Sequence, residues 1–190
     1  MTARLRSTAS TVVVRGGQLE VRVLTMADVE QLLVVERASY RSPWSAGMFL
    51  LELAKPRALN LGAWDGEQLV AHAVLAPYDA VWHLLNLAVC PARRRQGIAQ
   101  ALLGDALRRL EDRAILEGTE PLRVTLEVRR SNIAAQQLYR RYGFLPAGIR
   151  PRYYADTGED ALILWRTPAT LRGRLTDVPN VDPRLATEGP

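Results

Sequence analysis

The chain has 190 residues, 48% of them hydrophobic, with a formal net charge of +5. That length and composition suit a single domain with one sizeable core. The basic start, Met1–Ser10, is followed only by the short apolar run Val12–Val14, too little for a signal-peptide core or a membrane helix, so a soluble cytoplasmic protein with no membrane role is expected.

Cys90 is the one cysteine, which excludes an internal disulfide, and no Cys/His spacing suits zinc, so no metal is expected. Lys55 is the only lysine, and the positive charge therefore sits almost entirely on guanidinium groups. Arginine binds phosphate bidentately and stays protonated. A basic balance of this kind fits nucleic acid, a ribosome surface or a phosphorylated cofactor, and composition does not choose among them.

In chain order, QLEVRVL at Gln18–Leu24 alternates apolar and polar residues and predicts a half-buried strand. Thr25-Met26-Ala27-Asp28 reads as a capping box with Asp in place of Glu, opening a helix with Val29, Leu32 and Leu33 on its apolar face. Ser42-Pro43 breaks that helix, and a second starts near Ser45 with Phe49, Leu50 and Leu53 turned to the core. Leu59–Trp64 and Leu69–Leu75, joined through Asp65-Gly66, predict a β-hairpin.

A strand at Trp82–Val89 ends at Pro91, and an arginine-rich loop leads into a long helix with Ile98, Leu102, Leu103, Leu107 and Leu110 buried. Leu122–Val128 is again strand-like. Ser131 or Asn132 caps a helix with Ala135, Leu138 and Tyr142 on its apolar face, and Gly143 ends it. Strands near Phe144–Arg150 and Ala161–Arg166 flank a turn with Asp156 and Gly158, which completes a mixed α/β chain. The Pro/Arg/Asp-rich tail from Thr167, like the first dozen residues, is expected to be peripheral or mobile.

The most informative local feature is Arg93-Arg94-Arg95-Gln96-Gly97-Ile98-Ala99, between a predicted strand and the helix it opens. Backbone N–H groups at a helix start have no intrahelical acceptor and lie at the positive end of the dipole. Gly97 and Ala99 admit a diphosphate close to them, and the arginines add attraction. No Gly-Lys-Ser/Thr follows, which excludes a Walker loop, and the three glycines of a dinucleotide fingerprint are missing.

Arg94-x-x-Gly97-x-Ala99 resembles the Arg/Gln-x-x-Gly-x-Gly/Ala motif with which enzymes of the GNAT superfamily hold the pyrophosphate of acetyl-CoA. The resemblance runs from about Val21 to Arg166. Its other blocks are Glu36-Arg37 with Ser42-Pro43-Trp44-Ser45, Asn86–Val89, Leu126–Asn132, and Leu138-Tyr139 through Tyr142-Gly143-Phe144 to Arg150–Tyr154. LEVRRSNIAAQQLYRRYGF followed by Tyr153-Tyr154 is most similar to the RimI group and its protein N-terminal acetyltransferase relatives.

The resemblance implies a GNAT fold, a mixed central β-sheet splayed at the cofactor site and flanked by helices. It implies a GNAT domain over 18–167, an N-terminal extension over 1–17 and a C-terminal tail over 168–190. By the same resemblance Glu127 is the proton acceptor and Tyr139 the proton donor. Leu87, Ala88 and Val89 pair with the pantetheine arm. Arg94, Arg95, Gln96, Gly97, Ile98, Ala99 and Gln100 hold the diphosphate, and Asn132 touches the cofactor near its sulfur. Trp44, Tyr153 and Tyr154 wall a peptide groove.

The implied reaction is acetyl transfer from acetyl-CoA to a protein N-terminus, foremost the N-terminal alanine of the eighteenth small-subunit ribosomal protein. Two other readings predict different behaviour. An acetyltransferase for a small amine or a lysine side chain requires a closed or acidic acceptor pocket. A non-catalytic RNA- or ribosome-binding module requires steeply salt-dependent RNA affinity, and the chain lacks aromatic-rich RNA signatures. His72, His83 and Cys90 are read as structural, since nothing in the sequence pairs them with a nucleophile.

Overall fold

The computed structural model describes residues 9–186. The expected segments over 1–8 and 187–190 lie outside them. The chain gathers into two units, one built from the residues up to Ala76 with Asn86–Leu107, the other from Pro77–Leu85 with the residues from Arg108 onward.

The first unit opens with β1 (Ser10–Val14) and β2 (Gly17–Val23), then α1 (Val29–Ser39), α2 (Ala46–Leu53), β3 (Leu59–Asp65) and most of β4 (Gln68–Tyr78). Its strands are neighbours in the order β1-β2-β3-β4, antiparallel from β1 to β4. The predicted alternation holds in β2, where Leu19 and Val21 are buried and Glu20 between them is exposed. At Thr25 the backbone N–H donates to the Asp28 carboxylate at 2.7 Å and the hydroxyl donates at 2.9 Å, so one carboxylate fixes the chain where the helical segment begins.

Along α1 Val29, Leu32, Leu33 and Glu36 are buried at the i, i+3, i+4, i+7 spacing of a core-facing helix, with Val35 buried beside them and a carboxylate at the last position. Ser45 caps α2 by accepting from the Met48 N–H at 3.3 Å. Of the three α2 residues expected in the core, Phe49 alone is buried. Leu53, one turn on, is half-buried, whereas Leu50 is 40% exposed because the next position is rotated about 100° around the helix.

β5 (Val81–Val89) starts in the second unit and enters the first at Asn86; α3 (Ile98–Glu117) starts in the first and continues in the second. Ile98, Leu102, Leu103, Leu107 and Leu110 are all buried, as the periodicity predicts.

The second unit adds β6 (Val124–Arg129), α4 (Ile133–Arg141), β7 (Leu145–Tyr154), β8 (Glu159–Arg166) and a short α5 (Pro183–Ala186). β5 pairs with β6 in parallel, and β6-β8-β7 continue antiparallel, so the sheet is mixed. Asn132 caps α4 by accepting from the Ala135 N–H at 3.1 Å. The face predicted for α4 is rotated: Ala135, Leu138 and Tyr142 are half-buried and the buried residue is Tyr139. The reason is Gly143, whose φ of +80° turns the chain back so that Phe144 donates to the Tyr139 carbonyl at 3.1 Å. The two rings then meet edge to face at 5.8 Å.

Two other segments depart from expectation. A strand, β1, forms before Gln18, and Arg15 beyond it donates to the Gln96 carbonyl at 2.9 Å. The expected peripheral tail is packed over its described part. The Thr167 hydroxyl donates to Asp177 at 2.6 Å, Asp182 donates to the Ala147 carbonyl at 2.8 Å, and Val178 is buried. Composition missed this because the anchoring is polar. Among the described residues no helix is long and apolar enough to cross a membrane.

Leu102 is fully buried in the first turns of α3, so Leu102→Ala should destabilise the fold by about 2–5 kcal/mol. Urea melts of the two proteins at equal concentration measure it through the midpoint at unchanged slope.

Candidate functional site

In the first unit, the loop between β5 and α3 contains two residues with left-handed backbone, Arg95 at φ +66° and Gly97 at φ +85°. For an arginine that conformation costs on the order of 1–2 kcal/mol, which the surrounding bonds must offset. Those bonds are present. The Arg93 guanidinium pairs with Asp65 and donates to the Gln96 side chain at 3.1 Å, and Arg94 Nε donates to the Val89 carbonyl at 3.2 Å.

The Ala101 N–H to Gly97 carbonyl bond of 2.9 Å closes the first turn of α3, and the amides of Ile98 and Ala99 lie ahead of that bond at the helix start. Gly97 is exposed, and no atom stands within 4 Å of where a side chain's first carbon would be. The turn is thus an open cradle at the positive end of a 20-residue helix.

Leu87, Ala88 and Val89 form the end of β5. Cys90 donates to the Val70 carbonyl at 2.9 Å, and strand alternation turns Leu87 and Val89 to the opposite edge. On that edge the Leu87 carbonyl accepts from the Tyr40 hydroxyl at 2.7 Å and the Val89 carbonyl from the Ser39 hydroxyl at 3.3 Å. Trp44 lies in the same unit, half-buried, with its ring 5.3 Å from that of Phe49.

In the second unit Glu127 is on β6, half-buried and opposite Ile163 of β8. Its Oε1 is 3.1 Å from Arg150 Nη2 of β7. His83 of β5, paired with Thr125 of β6, lies within electrostatic reach of both. Its imidazole is pushed below the ordinary histidine value, first by burial, while the Glu127 charge raises it and the Arg150 charge lowers it. Arg129, two residues from Glu127 on the same face, ties down the β7–β8 turn with two bonds of 2.8 Å to Asp156 and one of 2.8 Å to the Thr157 hydroxyl.

The Arg129 guanidinium also lies 3.9 Å from the Tyr154 ring centre. Burial pushes the Tyr154 phenol up to about 12, with Arg129 opposing. Tyr153 packs edge to face on Tyr154 at 5.2 Å and is exposed. Gln136 of α4 donates to the carbonyls of Arg129 and Arg130 at 3.2 and 2.8 Å, fixing the helix that carries Tyr139 to the end of β6.

Of the residues expected at the site, Leu87–Val89, Arg94–Gln100 and Trp44 lie in the first unit, and Glu127, Asn132, Tyr139, Tyr153 and Tyr154 lie in the second. Sequence reading did not identify Arg150, Arg129 or the placement of His83 beside Glu127. The i, i+2 spacing of Glu127 and Arg129 was the available signal; strand pairing set the rest.

A profile of the acetyltransferase (GNAT) family matches residues 29–144. A Bacillus subtilis protein named putative ribosomal protein bS18-alanine N-acetyltransferase is 35% identical over 155 residues, covering 77% of this chain and 94% of that protein. A Mycobacterium tuberculosis protein named N-alpha-acetyltransferase RimI is 34% identical over 151 residues, 75% of this chain and 89% of that one. The crystal structure of the ribosomal-protein-S18-alanine N-acetyltransferase from Escherichia coli superposes with a TM-score of 0.70 at 32% identity, covering 77% of this chain and 92% of that one.

The charges around His83 make the local electrostatics measurable. With only two histidines in the chain, NMR titration of the His83 imidazole should give a pKa below the free value, lowered further by Glu127→Gln and raised by Arg150→Gln. A response of the opposite sign in either variant contradicts the geometry. The depressed value also favours folding above the unfolded-state pKa of about 6.5, a contribution lost as pH falls through the folded value.

Proposed function

The chain belongs to the acetyltransferase (GNAT) family and is an acetyl-CoA-dependent N-acetyltransferase, and from that premise we propose that its acceptor is a protein N-terminus, foremost the N-terminal alanine of ribosomal protein bS18, modified in the cytoplasm. The observation that carries the acceptor is likeness over nearly the whole length of enzymes named for that substrate, 94% of one of them. Glu127 supports it. The carboxylate is half-buried, already holds one cation, and lies within electrostatic reach of the Tyr153-Tyr154 end of β7.

The residues fit acetyl-CoA. The exposed Gly97 turn offers an open cradle for a diphosphate, with Arg94, Arg95, Gln96, Ile98, Ala99 and Gln100 around it. Leu87, Ala88 and Val89 offer a strand edge for an amide-bearing arm, and Asn132 is the polar side chain expected near the sulfur. When bound, acetyl-CoA supplies an acetyl group already activated as a thioester.

The chain's own residues do the rest. An α-amino group of pKa near 8 is about one-tenth neutral at pH 7, so the base has modest work. Glu127 takes the remaining proton, directly or through a water, as the amine bonds to carbon, and its half-buried position on β6 keeps the carboxylate reachable. A backbone N–H of Leu87 or Val89, on the edge away from Val70, donates to the carbonyl oxygen as negative charge develops there. Tyr139 on α4 holds at its hydroxyl the proton that the leaving sulfur needs. Trp44, Tyr153 and Tyr154 hold the peptide.

Acetyl-CoA turnover against a panel of peptides differing at the first residues, with a blocked-N-terminus lysine peptide beside them, tests the acceptor. Alanine-initiated peptides should lead the panel, and activity confined to the lysine peptide overturns the reading. Glu127→Gln and Tyr139→Phe should each lower kcat by about 100-fold or more while acetyl-CoA affinity stays near that of the parent. Unchanged rates in both remove the assigned roles.

A further inference from the structure

The catalytic scheme leaves unused the most deeply buried carboxylate of the first unit. Glu36, at the last turn of α1, is 1% exposed, and its carboxylate bonds both the Trp44 segment and β5. Its Oε1 accepts the Trp44 backbone N–H at 2.9 Å. Both carboxylate oxygens are 3.1 Å from the Asn86 amide nitrogen, one residue before Leu87 on β5. His72 of β4, fully buried, places Nε2 3.2 Å from Oε2 and 3.3 Å from the Asn86 side-chain Oδ1. Among the described residues its Nδ1 has no hydrogen-bond partner, and the two acceptors at Nε2 suit an Nε2–H tautomer whose proton faces the cluster.

A carboxylate withdrawn from water needs such a set of donors, and leaving one unmade is costly. Core packing alone would be served by an aliphatic residue continuing the stripe of Val29, Leu32 and Leu33. What the carboxylate adds is connection. Between Tyr40 and Ser45 the chain forms no helix or strand, and the Trp44 N–H to Glu36 bond ties this stretch back to α1. The end of α1 is in turn stapled to β5 at three positions, by Glu36 to Asn86, Tyr40 to Leu87 and Ser39 to Val89.

We propose that Glu36 is a positioning residue: its buried carboxylate holds the Trp44 segment in register with the Asn86–Val89 stretch of β5, and so sets the acceptor wall against the strand that carries the acetyl donor. This rests on the reading of Trp44 as part of the peptide groove. β5 has its own anchor in the Cys90 to Val70 bond, so losing the carboxylate frees the Trp44 segment and leaves the strand in place.

The test uses the full chain. Glu36→Gln keeps the shape but turns one end of the side chain into a donor facing the Asn86 amide and His72. It should speed hydrogen exchange at the Trp44 amide by about tenfold or more and leave the Cys90 amide unchanged. The KM for an alanine-initiated peptide should rise by about tenfold while that for acetyl-CoA stays within about twofold. The swap Glu36→Gln with Asn86→Asp restores opposed donors and acceptors and should recover both readouts.

Equal acceleration at Trp44 and Cys90, no acceleration at either, parallel rises in the two KM values, or a folded swap variant without recovery each overturns the proposal. Failure of the parent enzyme to acetylate any peptide refutes the acceptor reading instead, and the two amides still decide whether Glu36 positions the segment.

Discussion

Two left-handed residues, Arg95 and Gly97, bring the chain out of β5 and into α3. Everything proposed for the cofactor depends on that turn. A right-handed path would direct the first amides of the helix elsewhere, and a side chain at Gly97 would both strain the backbone and fill the cradle. The turn is held from several sides: Arg93 to Asp65 and Gln96, Arg94 to Val89, and Arg15 to the Gln96 carbonyl. The arginine run therefore has a division of labour. Arg93 is committed to structure and Arg94 is partly so, while Arg95 is exposed and takes up the strained conformation.

β5 belongs to both units, and each end serves a different part of the chemistry. Its first half places His83 within electrostatic reach of Glu127 and Arg150, and its second half presents Leu87–Val89. Side chains from the end of α1 hold the second half at Asn86, Leu87 and Val89, whereas ion pairs and stacking from Arg129 hold the hairpin that carries Tyr153 and Tyr154. In both places a charged group that does not react fixes residues proposed to bind the cofactor or the peptide.

Much of this was legible in the sequence. Period-two alternation located β2, strand-like runs on either side of the Asp65-Gly66 turn located β3 and β4, and the run ending at Pro91 located β5; the 3.6-residue period located α3 with its buried leucines, and cap chemistry located the starts of α2 and α4. The loop at Gly97 was recognisable from its place between a strand and a helix and from the likeness of Arg94-x-x-Gly97-x-Ala99 to the GNAT diphosphate motif. The facing of short helices was not legible. On α4 it is set by the reversal at Gly143 and the arrival of Phe144 under Tyr139, a tertiary event. The Glu36–His72–Asn86 cluster was equally hidden, since its members are 14 to 50 residues apart and each alone resembles an ordinary polar residue. The packed tail escaped notice because Asp177 and the Thr167 hydroxyl, not apolar bulk, anchor it.

The cradle at Gly97 is tested most directly by isothermal calorimetry of coenzyme A binding to the intact chain and to Gly97→Val. One molecule should bind per parent chain, with affinity at least about tenfold weaker in the variant, since a β-branched residue at φ +85° is strained and obstructs the diphosphate. Absence of binding to the parent chain, or equal affinity for both proteins, would contradict the account.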